Sequence, residues 1–261
     1  MNPILTEILG DNGQILNITL NRPKMLNAFN TKMAEYMLSL LKVVSTDSSI
    51  RVVLLTSSNN DAFCSGADLK ERQGLSDEAW KAQHELFEQM FYALEDLPQP
   101  TIAVVNGYAL AGGFELALNC DLLVAAKTSK FGLPEVTRGI MPGCGGSRLL
   151  PKRVPLHKAK QWLFTGEIFG VEEASDAGLL NAVVPPEELF QTALRLANKI
   201  AKNAPLGVQG CKKSANTIGA LSNSEARKRE IEIYNLAVNS NDRLEGVLAF
   251  NEKRAPIFTG K

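Results

Sequence analysis

Apolar residues in the first two-thirds of the chain alternate between short β-branched runs and stretches with helical spacing. Ile15 to Leu20 and Arg51 to Thr56 predict strands, being short, β-branched and bounded by turn residues. Thr101 to Asn106 and Leu122 to Ala126 are continuous apolar runs, as expected of strands covered on both faces. Leu179 to Val184, ahead of Pro185 and Pro186, predicts one more. Between these runs, Met33, Met37, Leu40, Leu41 and Val44 recur at helical spacing behind a cap at Asn30. Trp80, Phe87, Met90, Phe91, Leu94 and Leu97 mark a second helix, stopped by Pro98 and Pro100.

From Glu187 onward only helical patterns remain. Leu189, Ala193, Leu196, Ala197 and Ile200 share one face, and Pro205 opens another segment. Two further helices are expected over Ser224 to Val238 and Asp242 to Glu252. There is no low-complexity tract, linker or clean internal period. The pattern therefore predicts an α/β core over residues 1–200 and a helical portion over 201–261, of the kind that docks onto a neighbour in an oligomer.

Composition narrows the function classes. The 261 residues are 45% apolar and 21% charged, ordinary for a water-soluble domain with a sizeable core. Lys plus Arg and Asp plus Glu number 28 each, so no net field steers the chain toward nucleic acid or anionic membrane. No apolar run approaches the roughly 20 residues that span a bilayer, and the N-terminus lacks a signal or transit character. Cys64, Cys120, Cys144 and Cys211 are widely spaced, and His84 and His157 are the only histidines. A His/Cys metal site is not expected, and reduced thiols in a cytoplasmic protein are. Both histidines sit beside charged residues in helix-like stretches and predict ordinary surface or partly buried side chains.

Candidate chemistry gathers in three segments. Asn106 to Glu115 runs from a strand end through a small-residue turn into a helix starting near Gly112. The first N–H groups of a helix lack internal partners and carry the positive end of its dipole. Gly112 and Gly113 leave the backbone open to a ligand oxygen, as an oxyanion hole requires. They also permit plain close packing, with Glu115 a solvated first-turn carboxylate, and the residues alone leave both readings open. In Ala62 to Glu71, Ala67 follows Gly66 at a strand-to-helix turn and can aim a second N–H at the same oxygen. A Cys64 or Ser65 nucleophile is the rival there, but no histidine is placed to activate it. Gly132 to Gly146 carries Pro134-Glu135 and the run Pro142-Gly143-Cys144-Gly145-Gly146; Lys152 and Arg153 beyond it predict surface charges. Nucleotide-phosphate fingerprints are absent. Glu115 and Glu135, both among apolar and small residues, suggest a paired acid/base site, because a desolvated carboxylate is costly unless partnered or used.

Taken together the segments resemble the enoyl-CoA hydratase/isomerase (crotonase) family over nearly the whole chain. The resemblance rests on Leu20-Asn21-Arg22-Pro23-Lys24-Met25-Leu26-Asn27-Ala28, Phe63 to Glu71, Asn106 to Glu115, Phe131 to Glu135, Pro142 to Gly146 and Ala249 to Arg254. It implies an α/β fold built as a spiral of ββα units, with a helical C-terminal trimerisation region and a homotrimeric or homohexameric assembly. It also implies an acyl-CoA substrate, no separate cofactor or metal, and a thioester enolate held by the N–H groups of Ala67 and Gly112. Coenzyme A would pass Lys24, Met25, Leu26 and Ala28 and the segment Ala67, Asp68, Leu69 and Lys70, with Gly112 and Gly143 in the pocket. Phe250 and Lys253 look like the family residues that reach its nucleotide end, commonly from a neighbouring subunit.

Glutamate at both acidic positions resembles the hydratases, and implies syn addition of water to a 2,3-enoyl thioester. In that reading Glu115 is the principal base and Glu135 gives a proton to the α carbon. An isomerase or another acyl-CoA-enolate enzyme, and a non-catalytic acyl-CoA binder, are the alternatives. Ala111 replaces a third glycine found in many members, and Cys144 replaces Ala or Gly; both are small, and Cys144 would narrow the acyl end or make it thiol-sensitive. Asp68-Leu69-Lys70-Glu71-Arg72 looks like the methylglutaconyl-CoA hydratase branch. Some relatives in that branch bind RNA through a lysine-rich first helix; Lys32 and Lys42 alone do not predict it here.

Overall fold

A computed structural model describes residues 2–218 and 221–261. Its larger sheet contains β1 (Ile4–Leu9), β2 (Ile15–Leu20), β3 (Val52–Ser57), β5 (Thr101–Val105), β7 (Leu122–Ala126) and β10 (Ala182–Val184), in that spatial order. The β1–β2 pair is antiparallel, and the remaining neighbours are parallel. A smaller sheet of four three-residue strands has the order β4 (Ala62–Cys64), β6 (Tyr108–Leu110), β8 (Lys130–Gly132) and β9 (Ile168–Gly170). The chain repeatedly lays a strand in the large sheet, then one in the small sheet, then a helix. This is the two-sheet α/β crotonase fold with C-terminal helices.

Period-two alternation explains why β3 and β5 read as unbroken apolar runs. Val53, Leu55, Ala103 and Val105 face one core, with Met37 and Leu41 of α1 (Thr31–Val44) and Phe87 and Phe91 of α3 (Asp77–Glu95). Val52, Leu54, Ile102 and Val104 face the other, against Ala193, Ala197 and Ala201 of α8 (Leu189–Ala201). Both faces are covered, so no polar alternation survives. Side-chain caps set the helix starts: Asn30 accepts from the Met33 N–H at 3.1 Å, and Ser76 from the Ala79 N–H at 3.2 Å.

The long elements follow the sequence pattern to within a residue or two, while several short ones depart from it. The expected strand at Leu179 to Val184 forms only over Ala182–Val184, because Leu179 and Leu180 still belong to the turn after α7 (Val171–Asp176). α2 (Leu69–Arg72), α4 (Gly112–Asn119), α5 (Gly146–Arg153) and α6 (Leu156–Thr165) complete the core. Arg153, expected as a surface charge, is half-buried and donates to the Leu118, Cys120 and Asp121 carbonyls at the end of α4. It thereby satisfies carbonyls that a helix end leaves unpaired.

The C-terminal helices are α9 (Pro205–Ile218), α10 (Asn223–Val238) and α11 (Asn241–Glu252). Lys212 of α9 pairs with Asp121 at 2.7 Å, and Arg51 donates to the Ala201 carbonyl at 2.9 Å, tying this part to the core. By contrast, Tyr234, Leu236, Leu244, Val247, Leu248 and Phe250 are exposed on α10 and α11. Among the described residues no helix is long and apolar enough to cross a membrane.

Candidate active site

A cavity of about 520 Å³ opens where the small sheet meets α2, α3 and α4. Glu115 reaches it from the first turn of α4, and Glu135 from a 3-10 turn, Pro134–Arg138. Strand β6 delivers the first helix and strand β8 the turn, and these strands are hydrogen-bonded neighbours. Twenty residues of sequence separation thus collapse to one wall.

The two carboxyls are held differently. Glu115 is 3% exposed, and its Oε1 accepts from the Cys144 and Gly146 N–H groups, each at 2.8 Å. Burial raises its pKa, and those two donors pull it back without cancelling the rise. Asn119, one helical turn on, donates to both the Glu115 and Cys144 carbonyls at 2.8 and 3.0 Å, fixing the loop that supplies the donors. Glu135 is 8% exposed, and its Oε2 has no hydrogen-bond partner. Burial, with the nearby Glu115 charge, pushes its pKa to about 7. One carboxyl is therefore braced by amides and the other is poised to hold a proton near neutrality.

Two N–H groups lie beside them. Phe29 and Ala67 form an isolated parallel bridge in which the Phe29 N–H donates to the Gly66 carbonyl and the Asp68 N–H to the Phe29 carbonyl, both at 2.9 Å. In that pattern the N–H of Ala67 points away from Phe29, and Ala67 lines the cavity. Gly112 also lines it as the first residue of α4, whose N–H has no intrahelical acceptor. The glycine pair itself is explained by packing. A Cβ on Gly113 would lie 2.0 Å from the Cys64 carbonyl oxygen, and one on Gly112 would lie 2.6 Å from the Phe29 ring. Ala111, ahead of them, takes φ 51° and ψ −130°, a conformation an L side chain rarely adopts. Its methyl group is small, as expected, but the position is strained.

Of the expected contact residues, Ala67, Leu69, Gly112 and Gly143 line the cavity with the two glutamates. Lys24, Met25, Leu26 and Ala28 form a tight turn beside the Ala62 to Ser65 strand end, outside the cavity wall. Asn27, fully buried, donates to the Ala62 and Phe63 carbonyls at 3.2 Å and holds that turn in place. Asp68 caps α2 and pairs with Arg22 at 2.9 Å; despite burial, the Arg22 charge and local N–H groups keep its pKa below the ordinary carboxylate value. Lys70 is exposed beyond it. Phe250 and Lys253, at the end of α11, are exposed and do not touch this cavity within one chain.

Cys64 is fully buried, and burial lifts its thiol to about 12, which argues against it as a nucleophile; Ser65, the other rival, lines the cavity. Cys144 lines the cavity, but burial and the Glu115, Glu88 and Glu135 charges hold its thiol far above the ordinary range. The expected thiol sensitivity is not supported, since thiolate is the reactive form.

Sequence reasoning missed the part of the cavity that α2 and α3 supply. Arg72, Trp80, His84 and Phe87 face the same cavity. His84, expected as ordinary, stacks on Trp80 with ring centroids 5.2 Å apart, and its Nδ1 is buried without a partner. The available signal was the polar pair Gln83 and His84 within an otherwise apolar stripe of α3.

The chain belongs to the enoyl-CoA hydratase/isomerase family, whose model matches residues 10–261. It is 37% identical over 247 residues to the short-chain-enoyl-CoA hydratase of Clostridium acetobutylicum, covering 95% of each chain. It is 36% identical over 248 residues to the 2,3-dehydroadipyl-CoA hydratase of Escherichia coli, covering 95% of this chain and 96% of that one. The crystal structure of an enoyl-CoA hydratase from Bacillus anthracis superposes with a TM-score of 0.96 at 35% identity, covering 99% of this chain and 100% of that one. Relatives at nearly equal identity are named for different acyl groups, so membership of the family leaves the acyl chain open.

Proposed function

We propose that the chain is an enoyl-CoA hydratase that adds water across the 2,3 double bond of an enoyl-CoA thioester. The observation that carries this reading is the unequal carboxyl pair, one amide-braced and one buried with a partnerless oxygen, on a single cavity with two free N–H groups. The N–H groups of Ala67 and Gly112 hold the thioester oxygen. Glu115 and Glu135 hold a water between them, and Glu115 takes its proton as the oxygen bonds to the β carbon. The β carbon's π electrons move toward the thioester, giving an enolate whose negative oxygen the two amides stabilise. Glu135 then passes its proton to the α carbon. The net change is hydrogen on the α carbon and hydroxyl on the β carbon, and proton exchange with solvent resets the two carboxyls.

In this reading Lys24, Met25, Leu26, Ala28, Asp68, Leu69 and Lys70 flank bound coenzyme A. The exposed Phe250 and Lys253 complete its nucleotide end from a neighbouring subunit. The apolar side chains on α10 and α11 support a division into a core at 1–200 and an oligomerising region at 201–261, in a homotrimer or homohexamer. Four free cysteines, three of them buried, suit a reducing cytoplasm.

Incubation with crotonyl-CoA tests the activity: the conjugated enoyl-thioester absorbance should fall as 3-hydroxybutyryl-CoA forms. No turnover of short, medium and branched 2-enoyl-CoAs would refute it. Conversion of a 3-enoyl-CoA without hydration would reassign the site to isomerisation.

A further inference from the structure

Two arginines line the cavity, the exposed Arg138 in the turn that carries Glu135 and the half-buried Arg72. Arg72 ends α2, and its Cζ lies 4.9 Å from the Trp80 ring centroid and 5.2 Å from that of Phe87. Two aromatic rings thus fix its position. Its Nε donates to Gln83 Oε1 at 3.0 Å, and Gln83 is only 7% exposed. Gln83 is locked in turn, its Nε2 donating to Thr31 Oγ1 at 2.8 Å and to Glu71 Oε2 at 2.9 Å. Glu71 Oε2 also accepts from the Thr31 N–H at 2.9 Å. The guanidinium is therefore oriented from behind through three elements, α1, α2 and α3.

Its other nitrogens, Nη1 and Nη2, have no acceptor among the described residues, and Arg72 forms no ion pair there. Three nearby acids have other partners, and Glu135, which lines the cavity with a free Oε2, makes no ion pair with Arg72 among the described residues. Glu71 serves Thr31 and Gln83, Glu88 lies 3.4 Å from His84 Nε2, and Glu115 accepts two backbone N–H groups. His84 adds a buried, unpartnered Nδ1 on the same wall, against Gly143. A half-buried cation with its outer donors unmet, stiffened by aromatic faces and a buried amide, has the form of an anion seat.

The seat also has a place relative to the reacting atoms. Glu115 binds the Cys144 N–H, and the Cys144 side chain lies within electrostatic reach of Arg72. Glu115, Cys144 and Arg72 line one cavity with Ala67 and Gly112, so a thioester oxygen held by those two amides leaves Cys144 and Arg72 to border the acyl chain. We infer that this site takes a short 2-enoyl-CoA whose acyl chain ends in a carboxylate, with Arg72 as the residue that receives that carboxylate and Gln83 as the residue that positions Arg72. The inference rests on the hydratase reading for the placement of the thioester.

Two measurements separate the inference from that reading. The first compares kcat/KM for the six-carbon 2-enoyl-CoA ending in a carboxylate with that for hex-2-enoyl-CoA, in the unmodified protein and in Arg72→Met, Arg72→Lys and Gln83→Leu. The carboxylate substrate should be preferred by roughly 10- to 100-fold, the scale of a charge-assisted hydrogen bond. Arg72→Met should abolish the preference mainly through KM, Arg72→Lys should restore part of it, and Gln83→Leu should fall between. Preference for the methyl-ended chain would overturn the inference while leaving hydratase activity intact.

The second measurement needs no turnover: calorimetric affinities for adipyl-CoA and hexanoyl-CoA. Tighter binding of adipyl-CoA, lost in Arg72→Met, supports the seat even if no enoyl-CoA is hydrated. Equal weakening of both ligands by Arg72→Met would assign the arginine to coenzyme A or to the fold, and overturn the inference.

Discussion

The wall carrying Glu115 and the turn carrying Glu135 present the same functional group in opposite states of restraint. Glu115 lies within a lattice of backbone donors and the Asn119 brace, whereas Glu135 keeps an oxygen without a partner. The sheet brings both to one cavity, but local hydrogen bonding gives them different surroundings. A base that must hold water in one geometry benefits from bracing. An acid that must keep its proton near neutrality benefits from being denied donors. In the proposed reaction, two carboxyls of identical chemistry serve as base and acid through what surrounds them.

The most severe way to break this comparison is to neutralise each side in turn. Glu115→Gln and Glu135→Gln should each lower kcat for crotonyl-CoA hydration by about 10²–10⁴-fold, the range for removing a positioned acid or base. Steady-state kinetics on both variants checks this, and full activity in either would end the two-carboxyl account.

The next test is pH. Glu135 has its pKa raised from 4.5 to about 7, so the acid form declines above neutrality and kcat/KM should fall on an alkaline limb near pH 7. The same shift has a consequence for stability. A carboxyl whose folded pKa is raised binds more protons folded than unfolded between about pH 4.5 and 7, so its contribution declines as pH rises through that window. Glu135→Gln should therefore be more stable than the parent at pH 8 by up to about 3 kcal/mol, and show no such gain at pH 4.5. Urea unfolding at the two pH values measures the difference.

Loosening the braced side should cost less. Asn119→Ala removes the donor shared by the Glu115 and Cys144 carbonyls, and should destabilise the fold by about 1–3 kcal/mol. It should also lower kcat more than it alters KM, since the water-holding geometry is disturbed before thioester binding. The smallest effect is expected at Ala111, where glycine relieves the positive-φ strain but loses chain entropy. Ala111→Gly should gain at most about 1 kcal/mol, read as a small rise in Tm.

Legibility in the sequence followed element length and burial symmetry. Strands β2, β3, β5 and β7 were readable because five or six residues buried on both faces leave an apolar run. The small sheet was not, since three-residue strands such as Tyr108–Leu110 and Lys130–Gly132 carry no measurable period. Glu115 and Glu135 stood out as charges in apolar surroundings. Arg72 did not, because its neighbours along the chain are polar and the rings that frame it come from α3, while His84 left only the weak signal of a polar pair in the apolar stripe of α3.

By itself the sequence determined the α/β layout, the caps, the small residues that let α4 approach β4, and the pair of acids. Those are properties of a residue and its near neighbours, and chain-local chemistry fixes them. Only the tertiary structure decided that Glu115 is braced while Glu135 is not, that the Ala67 and Gly112 amides share a cavity with them, and that Arg72 faces inward with outer donors unmet. Each of these depends on hydrogen bonds and burial contributed by segments distant in sequence, which no local pattern specifies.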